Sequence, residues 1–422
     1  MKPKNKFQMQ VLAASRILPP VTEAQTEWAY RNCMQHTGRR TAKGIVSCLE
    51  CGHEWTDRTV EKQCACPHCG TKLTIADTRK QVFRQNEYFC IITVCEGFQV
   101  LRFFYLQSYA KAGEKVRYFH SEVVQRWIAG NGKHVTVAKL RPMGYFVDTW
   151  TFSSTLEIRP EKPLYNIIPT SVYPRQRLIP ELGRSGYEKQ LYGLSPFDLF
   201  HALLSDSRAE TLLKAGQTDL LKFFAGNGFN RIDNYWASIR ICIRNGYIVD
   251  DASLWRDYID LLRFFGKDLH SAKYVCPADL NAEHDRYVKK KREWQENERR
   301  EQARKKALED ETIYKEMKSN FFGIQFSDGR INVRVLESVE EIMQEGDAMH
   351  TCVFTNEYHL KPDSLILSAC MDGQRLETVE FSLFKMQVVQ CKGHCNQNSE
   401  YHDQIINLVK KNSRLFEKQI TA

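Results

Sequence analysis

Two short cysteine motifs of the same form constrain this chain more than any other feature of its sequence. Each motif reads Cys-x-x-Cys-Gly, and fourteen residues separate the first pair of cysteines from the second. The four cysteines are Cys48, Cys51, Cys66 and Cys69. Each motif bends so that its two thiolates point inward, and the glycine permits the backbone conformation that follows the second cysteine. Because four sulfur ligands complete a tetrahedron and leave no position for water, the spacing predicts one structural zinc ion in a zinc ribbon.

One further cysteine lies close to these motifs. Cys64 stands two residues before Cys66 and could replace it as a ligand. A redox role for one Cys-x-x-Cys motif is disfavoured, because a second, matched motif is present. The metal is therefore expected to stabilise the fold.

Composition and charge indicate a multidomain protein of the cytoplasm. A chain of 422 residues has room for two to four domains of roughly 100–200 residues each. Its fourteen cysteines, without the continuous apolar stretch of an export signal, indicate thiols and metal ligands in a reducing compartment. No stretch approaches a membrane span of about 18 consecutive apolar residues. The formal charge of +9 favours polyanions, so DNA or RNA is the expected partner and a membrane is not.

The hydrophobic pattern changes along the chain. Tyr88–Cys95 and Phe98–Leu106 are rich in aromatic and β-branched residues and flank Glu96-Gly97, which predicts a β-hairpin. Several prolines interrupt residues 160–184 and indicate an irregular connector. A helical period begins at Ser195-Pro196, which suit a helix cap and the first helical position.

These patterns predict an α+β multidomain protein with five regions. They are an N-terminal helix and zinc ribbon (1–80), an antiparallel β-rich domain (81–160), a connector and α-helical middle domain (161–282), a long charged helix (283–320) and a small α+β C-terminal domain (321–422). In the charged helix, acidic residues are interspersed with basic clusters such as Lys289–Arg292, which allows pairs four residues apart. That helix is either a solvated linker or a nucleic-acid contact.

The C-terminal region concentrates side chains that can bind metals or transfer protons. The candidate catalytic residues are His350, Cys352, Glu380, Gln390 and Asn396. Alternation along a strand predicts that, if Val379 and Phe381 fill the core, Thr378 and Glu380 face away from it. A Glu380 carboxylate gathered into a cleft with His350 would suit acid–base chemistry.

Several chemistries fit these residues. A metal-dependent nuclease could use His350 as base, with Glu380 and Asn396 around a cation. Cys352 could act as a thiol nucleophile beside His350, since residues two apart face the same way on a strand. A second zinc site could form from His350 or Cys352 with three further side chains. These are Cys391, His394 and Cys395. The order of His350, Tyr358 and Glu380 resembles that of ADP-ribosyltransferases, with shorter spacing. A hydrogen-bonded cluster that only stabilises a binding domain is the remaining alternative.

Two motifs and two upstream elements of the chain resemble those of a known family. The motifs are Met349-His350-x-Cys352-Val353 and Gln390-Cys391-x-Gly393-x-x-Asn396. The elements are Arg240–Tyr247 and the stretch from Tyr274 to His284. Together, over roughly the last two thirds of the chain, they resemble the PcfJ-like family, which is encoded on conjugative plasmids and other mobile elements. The resemblance implies a genomic context and assigns no reaction.

The combined features predict a nucleic-acid-binding accessory protein of a mobile genetic element. The zinc ribbon, the net positive charge, the aromatic β-rich domain and the family resemblance favour this function. Other proteins of the mobile element are a second class of expected partner. Two alternatives stay open. One is a metal-dependent nuclease or related phosphodiester enzyme that uses His350, Glu380 and Asn396, and the other is a protein-binding scaffold.

Overall fold

The computed structural model describes residues 2–57, 59–142 and 150–420, and the chain divides into two compact units. The units are Met1–Asp285 and Arg286–Ala422. The described residues form thirteen α-helices and three β-sheets, which confirms the predicted α+β multidomain class. Within these described ranges, no helix has both the length and the apolar composition needed to cross a membrane.

Two helices and a small mixed sheet open the first unit. The helices are α1 (Lys6–Ile17) and α2 (Glu23–Cys33). α2 begins with a capping box, in which the side chains of Thr22 and Gln25 each accept from the other's backbone amide. The strands are β1 (Thr37–Arg40), β2 (Ile45–Cys48), β3 (Glu54–Thr56), β4 (Gln63–Ala65) and β5 (Lys72–Asp77), in the order β3-β2-β1-β5-β4. Parallel pairing of β1 with β5 joins the three antiparallel strands β1 to β3 and the β4–β5 hairpin into one sheet.

A long hairpin dominates the second sheet of the first unit. β6 (Val82–Cys95) and β7 (Phe98–Lys111) pair along their whole length. Glu96 and Gly97 both have positive φ, as the tight turn between such strands requires, so the predicted hairpin is confirmed and is longer than expected. The other strands are β8 (Arg117–Ile128), β9 (His134–Ala138), β10 (Glu157–Arg159) and β11 (Ser171–Val172), in the order β10-β9-β8-β7-β6-β11. All of these pairs are antiparallel except β6 with β11.

Short helices form the rest of the first unit. They are α3 (Pro180–Arg184), α4 (Pro196–Ser205), α5 (Ser207–Lys214), α6 (Thr218–Asn227), α7 (Trp236–Arg244), α8 (Ala252–Phe264) and α9 (Ala272–Val275). The Ser195 hydroxyl caps α4 by accepting from the Asp198 amide, and Pro196 is the first helical residue, as the sequence predicts. Their apolar faces bury large side chains such as Phe200 and Trp255.

An antiparallel sheet forms the centre of the second unit. α10 (Leu280–Lys318) precedes it and confirms the predicted long charged helix. The strands are β12 (Gln325–Ser327), β13 (Ile331–Val335), β14 (Ser364–Met371), β15 (Gln374–Ser382) and β16 (Gln387–Lys392), and they pair in chain order. The other helices are α11 (Val339–Met349), α12 (His402–Asn412) and α13 (Arg414–Ile420).

Strand alternation gives this sheet two different faces. On one face, Val379 and Phe381 pack with Ile405 of α12 and Phe416 of α13, which confirms the predicted core positions. On the other face, Ile366 packs with apolar side chains of α10, α11 and the loop after α11. Thr378 and Glu380 point toward this second face, where a pocket forms.

Candidate functional site

The four cysteines predicted to hold zinc come together at the ends of β2 and β4. The Sγ atoms of Cys48 and Cys69 lie 3.9 Å apart, and those of Cys51 and Cys66 lie 3.7 Å apart. Zinc–sulfur bonds of about 2.3 Å in a tetrahedron place the sulfurs about 3.8 Å apart. This four-cysteine group is therefore compatible with a metal ion such as zinc, and Cys64 lies outside it.

Backbone hydrogen bonds shape both cysteine motifs in the same way. The Gly52 amide donates to the Cys48 carbonyl, and the Gly70 amide donates to the Cys66 carbonyl, each at 2.9 Å. Both glycines have positive φ, 81° and 71°, a conformation that residues with a side chain rarely adopt. At Gly52, a Cβ would also lie 2.9 Å from the backbone of Glu114. The two motifs therefore form equivalent turns that present their sulfurs to one point.

A pocket of about 210 Å³ lies on the second face of the C-terminal sheet. Its floor contains Glu380, which lies between Ile366 of β14 and Gln390 of β16, and Thr378, which lies opposite Lys392. Directly opposed residues in antiparallel strands point to the same face, so these side chains enter the pocket together. The walls are Thr351, Cys352, Val353, Asn356 and Tyr358 from the loop after α11, and Asn396 from the turn after β16. We call this cavity the C-terminal pocket.

Four of the five predicted catalytic residues line the C-terminal pocket. These are Cys352, Glu380, Gln390 and Asn396. His350 ends α11 in the left-handed conformation, with φ of 50°, and it is exposed. Its ring centroid lies 4.8 Å from that of His394 and its side chain is not part of the pocket lining. The structure thus gathers Glu380 with Asn396 and turns His350 toward a different neighbour.

Glu380 and Lys392 bring opposite charges to the C-terminal pocket. The Ser364 hydroxyl donates to the Glu380 carboxylate, and Lys392 Nζ donates to Asn398 Oδ1 at 3.0 Å. The buried Thr351 hydroxyl has no hydrogen-bond partner within the described part of the chain.

A second group of metal-binding side chains lies on the opposite face of the same sheet. Glu377 of β15, Cys391 of β16 and His402 of α12 place their ligand atoms within 4.8 Å of one another. The Cys391 thiol donates to Glu377 Oε2 at 2.7 Å, and His402 Nδ1 lies 2.8 Å from the same oxygen. The Ser399 amide donates to Glu377 Oε1 at 2.6 Å. We call these three side chains the Glu377 group; no motif in the sequence indicates them as a set.

Burial and hydrogen bonding have opposite effects on the Glu377 carboxylate. Burial alone would raise the pKa of Glu377, but hydrogen bonds from Cys391, His402 and Ser399 lower it below its ordinary value. Burial raises the pKa of the Cys391 thiol, and the neighbouring Glu377 carboxylate raises it further. Without a metal, this thiol stays protonated at neutral pH, unlike the cysteine of a nucleophilic site.

Cys391 therefore belongs to a different set of ligands from the one considered for a second zinc ion. Because Cys391 lies opposite the buried Val379, its side chain enters the core face of the sheet. Cys352 lines the pocket on the other face, and Cys395 is exposed. The sheet separates Cys391 from Cys352, so these two sulfurs cannot share a metal ion.

The C-terminal part of the chain is similar to one known protein family. Residues 254–406 match the PcfJ-like protein family. The match supports the resemblance for the two C-terminal motifs and the Tyr274–His284 stretch, whereas the Arg240–Tyr247 element lies outside the matched residues. The matched region runs from α8 into α12, so it contains the C-terminal pocket and the Glu377 group but not the four-cysteine group. No curated protein and no solved structure matches the chain.

Proposed function

We propose that this chain is a nucleic-acid-binding protein of a mobile genetic element, and that the central part of α10 contacts the phosphate backbone. The charge distribution along this helix carries the proposal. Arg286–Lys306 contains ten basic and four acidic residues, whereas residues 307–318 contain two basic and four acidic residues. We call Arg286–Lys306 the basic segment. Its excess positive charge suits a polyanion.

The basic segment is also accessible. Between Tyr287 and Ala307, none of the described residues of α10 is buried. Arg299 and Arg300 each lie 3.1 Å from Glu296, but exposed pairs of this kind contribute little free energy and are easily exchanged for a phosphate. At 1.5 Å per residue, 21 helical residues extend about 32 Å, close to one turn of B-form DNA.

Two other features support this function. The four-cysteine group is compatible with a structural zinc ion, and zinc ribbons commonly contact nucleic acid or protein. The PcfJ-like match over residues 254–406 includes the whole basic segment and supports an association with mobile elements. The four-cysteine group and the family match therefore support the same function as the basic segment.

A pair of charge-removing variants tests the proposal. Lys289→Gln with Arg292→Gln removes two exposed cations from the basic segment, and Lys411→Gln with Arg414→Gln removes the same residue types at the same spacing from the end of the chain. If the first pair contacts phosphates, its loss should weaken DNA binding about 10-fold or more at roughly 100 mM salt and reduce the slope of log K against log salt by about 1.8. Fluorescence anisotropy with labelled single- and double-stranded oligonucleotides measures both quantities.

The matched variant at positions 411 and 414 should change the affinity and the slope much less. Equal losses for the two variants would show that only net charge matters and would contradict a contact by the basic segment. Absence of any complex at about 50 mM salt would contradict nucleic-acid binding itself and favour the protein-binding scaffold.

The C-terminal pocket favours a second candidate function, phosphodiester hydrolysis. Glu380 could act as general base or acid, with Lys392 to stabilise an anionic oxygen and Asn396 to position the substrate. The convergence of Glu380, Gln390 and Asn396 around a space of about 210 Å³ is the observation that favours it. His350 is a weaker candidate for the base than the sequence predicted, because its ring contacts His394 instead.

Glu380→Gln tests the enzyme directly. A general acid or base contributes about 10²–10⁴-fold, so the variant should lose at least 100-fold in hydrolysis of labelled DNA or RNA while its melting temperature and affinity stay unchanged. His350→Ala should lose much less. If hydrolysis survives Glu380→Gln, or falls only together with the melting temperature, the pocket residues have a structural role and not a catalytic one.

A further inference from the structure

The Glu377 group has the composition and placement of a metal site. We propose that Glu377, Cys391 and His402 bind a divalent transition-metal ion of the zinc class, in addition to any ion held by the four cysteines. The three ligands come from two adjacent strands and the first residue of α12. They lie on the face of the sheet opposite the C-terminal pocket, so this site is separate from the proposed catalytic one.

The ligand types select the class of metal. A carboxylate oxygen, a thiolate sulfur and an imidazole nitrogen suit zinc and its neighbours in the first transition row, whereas magnesium and calcium prefer oxygen ligands alone. Three protein ligands leave one tetrahedral position for water or a fourth ligand. The oxygen–sulfur and oxygen–nitrogen distances of 2.7 and 2.8 Å are shorter than the about 3.3–3.6 Å of a tetrahedral site. A bound ion would therefore move the carboxylate outward by less than about 1 Å.

Burial and charge favour an ion at this position. Glu377 is 0% exposed, Cys391 is 4% exposed, and the His402 side chain is 22% exposed. His402 therefore faces solvent and provides the entry side. When the ion binds, the Cys391 thiol releases its proton to solvent, and the resulting thiolate and the Glu377 carboxylate together balance the double positive charge. Such a neutral site can be buried at lower free-energy cost than an isolated carboxylate.

The site would hold a wall of the C-terminal pocket. Glu377 accepts from the Ser399 amide, and His402 begins α12, so the ligands bracket the segment that carries Asn396. This segment already crosses the sheet closely, because a Cβ on Gly393 would lie 2.9 Å from the Leu376 carbonyl oxygen. A metal ion at the Glu377 group would hold this segment from the core face of the sheet and so position Asn396 in the pocket.

The zinc content of the full chain tests this site. We expect the unchanged protein, purified without chelator, to hold two zinc ions per chain, one at each group of ligands. His402→Ala should hold one, because it removes the nitrogen ligand. His394→Ala removes an exposed histidine of the same segment and should hold two. Equal zinc content in His402→Ala and the unchanged protein would overturn the proposal.

A measurement on the unchanged protein covers the case in which His402→Ala does not fold. Cadmium-113 NMR of the chain loaded with cadmium should show two resonances. One should have the shift of four thiolate ligands, and the other should lie well upfield, as expected for one sulfur with nitrogen and oxygen. A single four-thiolate resonance at excess cadmium would overturn the second site, whatever the outcome of the nucleic-acid experiments.

Discussion

The four-cysteine group and the Glu377 group use similar lengths of chain but are assembled in different ways. The first lies within residues 48–69 and the second within residues 377–402. In the first, each pair of ligands sits in one tight turn whose backbone hydrogen bonds join neighbouring residues. In the second, pairing of β15 with β16 brings two ligands together, and the packing of α12 adds the third. Local turns build one group, and tertiary structure builds the other.

The two groups also differ in the number of apolar side chains that are buried around them. Besides cysteine, the described residues of β1 to β5 bury three apolar side chains, which are Val46, Leu73 and Ile75. The cluster that contains Cys391 has fifteen buried residues, again counted over the described ranges. A sheet with so small a core depends on its metal for stability, whereas a sheet with a large core folds first and can then bind one. We therefore expect metal loss to unfold the ribbon and only to loosen the C-terminal segment.

The largest expected effect follows from replacing one ligand of the four-cysteine group. Structural zinc contributes about 10–16 kcal/mol of apparent binding free energy in zinc-finger peptides, so Cys48→Ser should remove the ion and unfold β1 to β5. Cys64→Ser is the matched control, because Cys64 is in the same sheet but outside the group. Hydrogen exchange of residues 37–77, together with zinc analysis, should show loss of protection in the first variant only.

Two results would contradict this expectation. Freshly prepared protein without zinc would rule out the ribbon assignment. Equal loss of zinc in Cys64→Ser would show that Cys64 is a ligand in solution, as the sequence allows. In either case, the β14 to β16 amides of the second unit should keep their protection, since their core does not involve these cysteines.

The parts of this molecule that sequence could predict are those in which neighbours along the chain determine the structure. The Cys-x-x-Cys-Gly spacing, the Glu96-Gly97 turn and the long charged helix are of this kind. Alternation around Glu380 is another, because Val379 and Phe381 are both buried on one face and the side chain between them must point to the other face. Each feature depends on a period or a turn that a few residues fix by themselves.

Sequence could not predict the features that depend on where one helix or strand ends and on how it packs against another. The sequence suggests a cleft that joins His350 with Glu380, but α11 ends at His350 in the left-handed conformation, and the His350 ring lies against His394. Cys391 and Cys395 are both acceptable zinc ligands by residue type, but strand pairing buries Cys391 and leaves Cys395 exposed. Alternation from Val379 places Glu377 on the core face, yet no local pattern connects it to His402.

A smaller effect on stability is expected when either of two carboxylates on one strand is replaced. Glu377 and Glu380 are three residues apart on β15 and therefore lie on opposite faces. Glu377→Gln leaves a buried thiol, an imidazole and an amide without their charged acceptor, which should destabilise the second unit by about 1–3 kcal/mol. Glu380→Gln changes a partly exposed group that one hydroxyl contacts, and its effect should stay within about 0.5 kcal/mol. Hydrogen exchange of the β14 and β15 amides gives both free energies of opening.

Added zinc sharpens this last comparison. A ligand that binds only the folded state stabilises it by RT ln(1 + [L]/Kd), so an ion at the Glu377 group should stabilise the unchanged protein and Glu380→Gln by the same amount. Glu377→Gln lacks a ligand, so zinc should stabilise it much less. The difference in free energy of opening between the two variants should therefore increase as the zinc concentration rises above its Kd. A gap that stays constant over the titration would mean that the Glu377 group is a hydrogen-bonded tie between β15 and α12 with no metal, and that the four cysteines hold all the bound zinc.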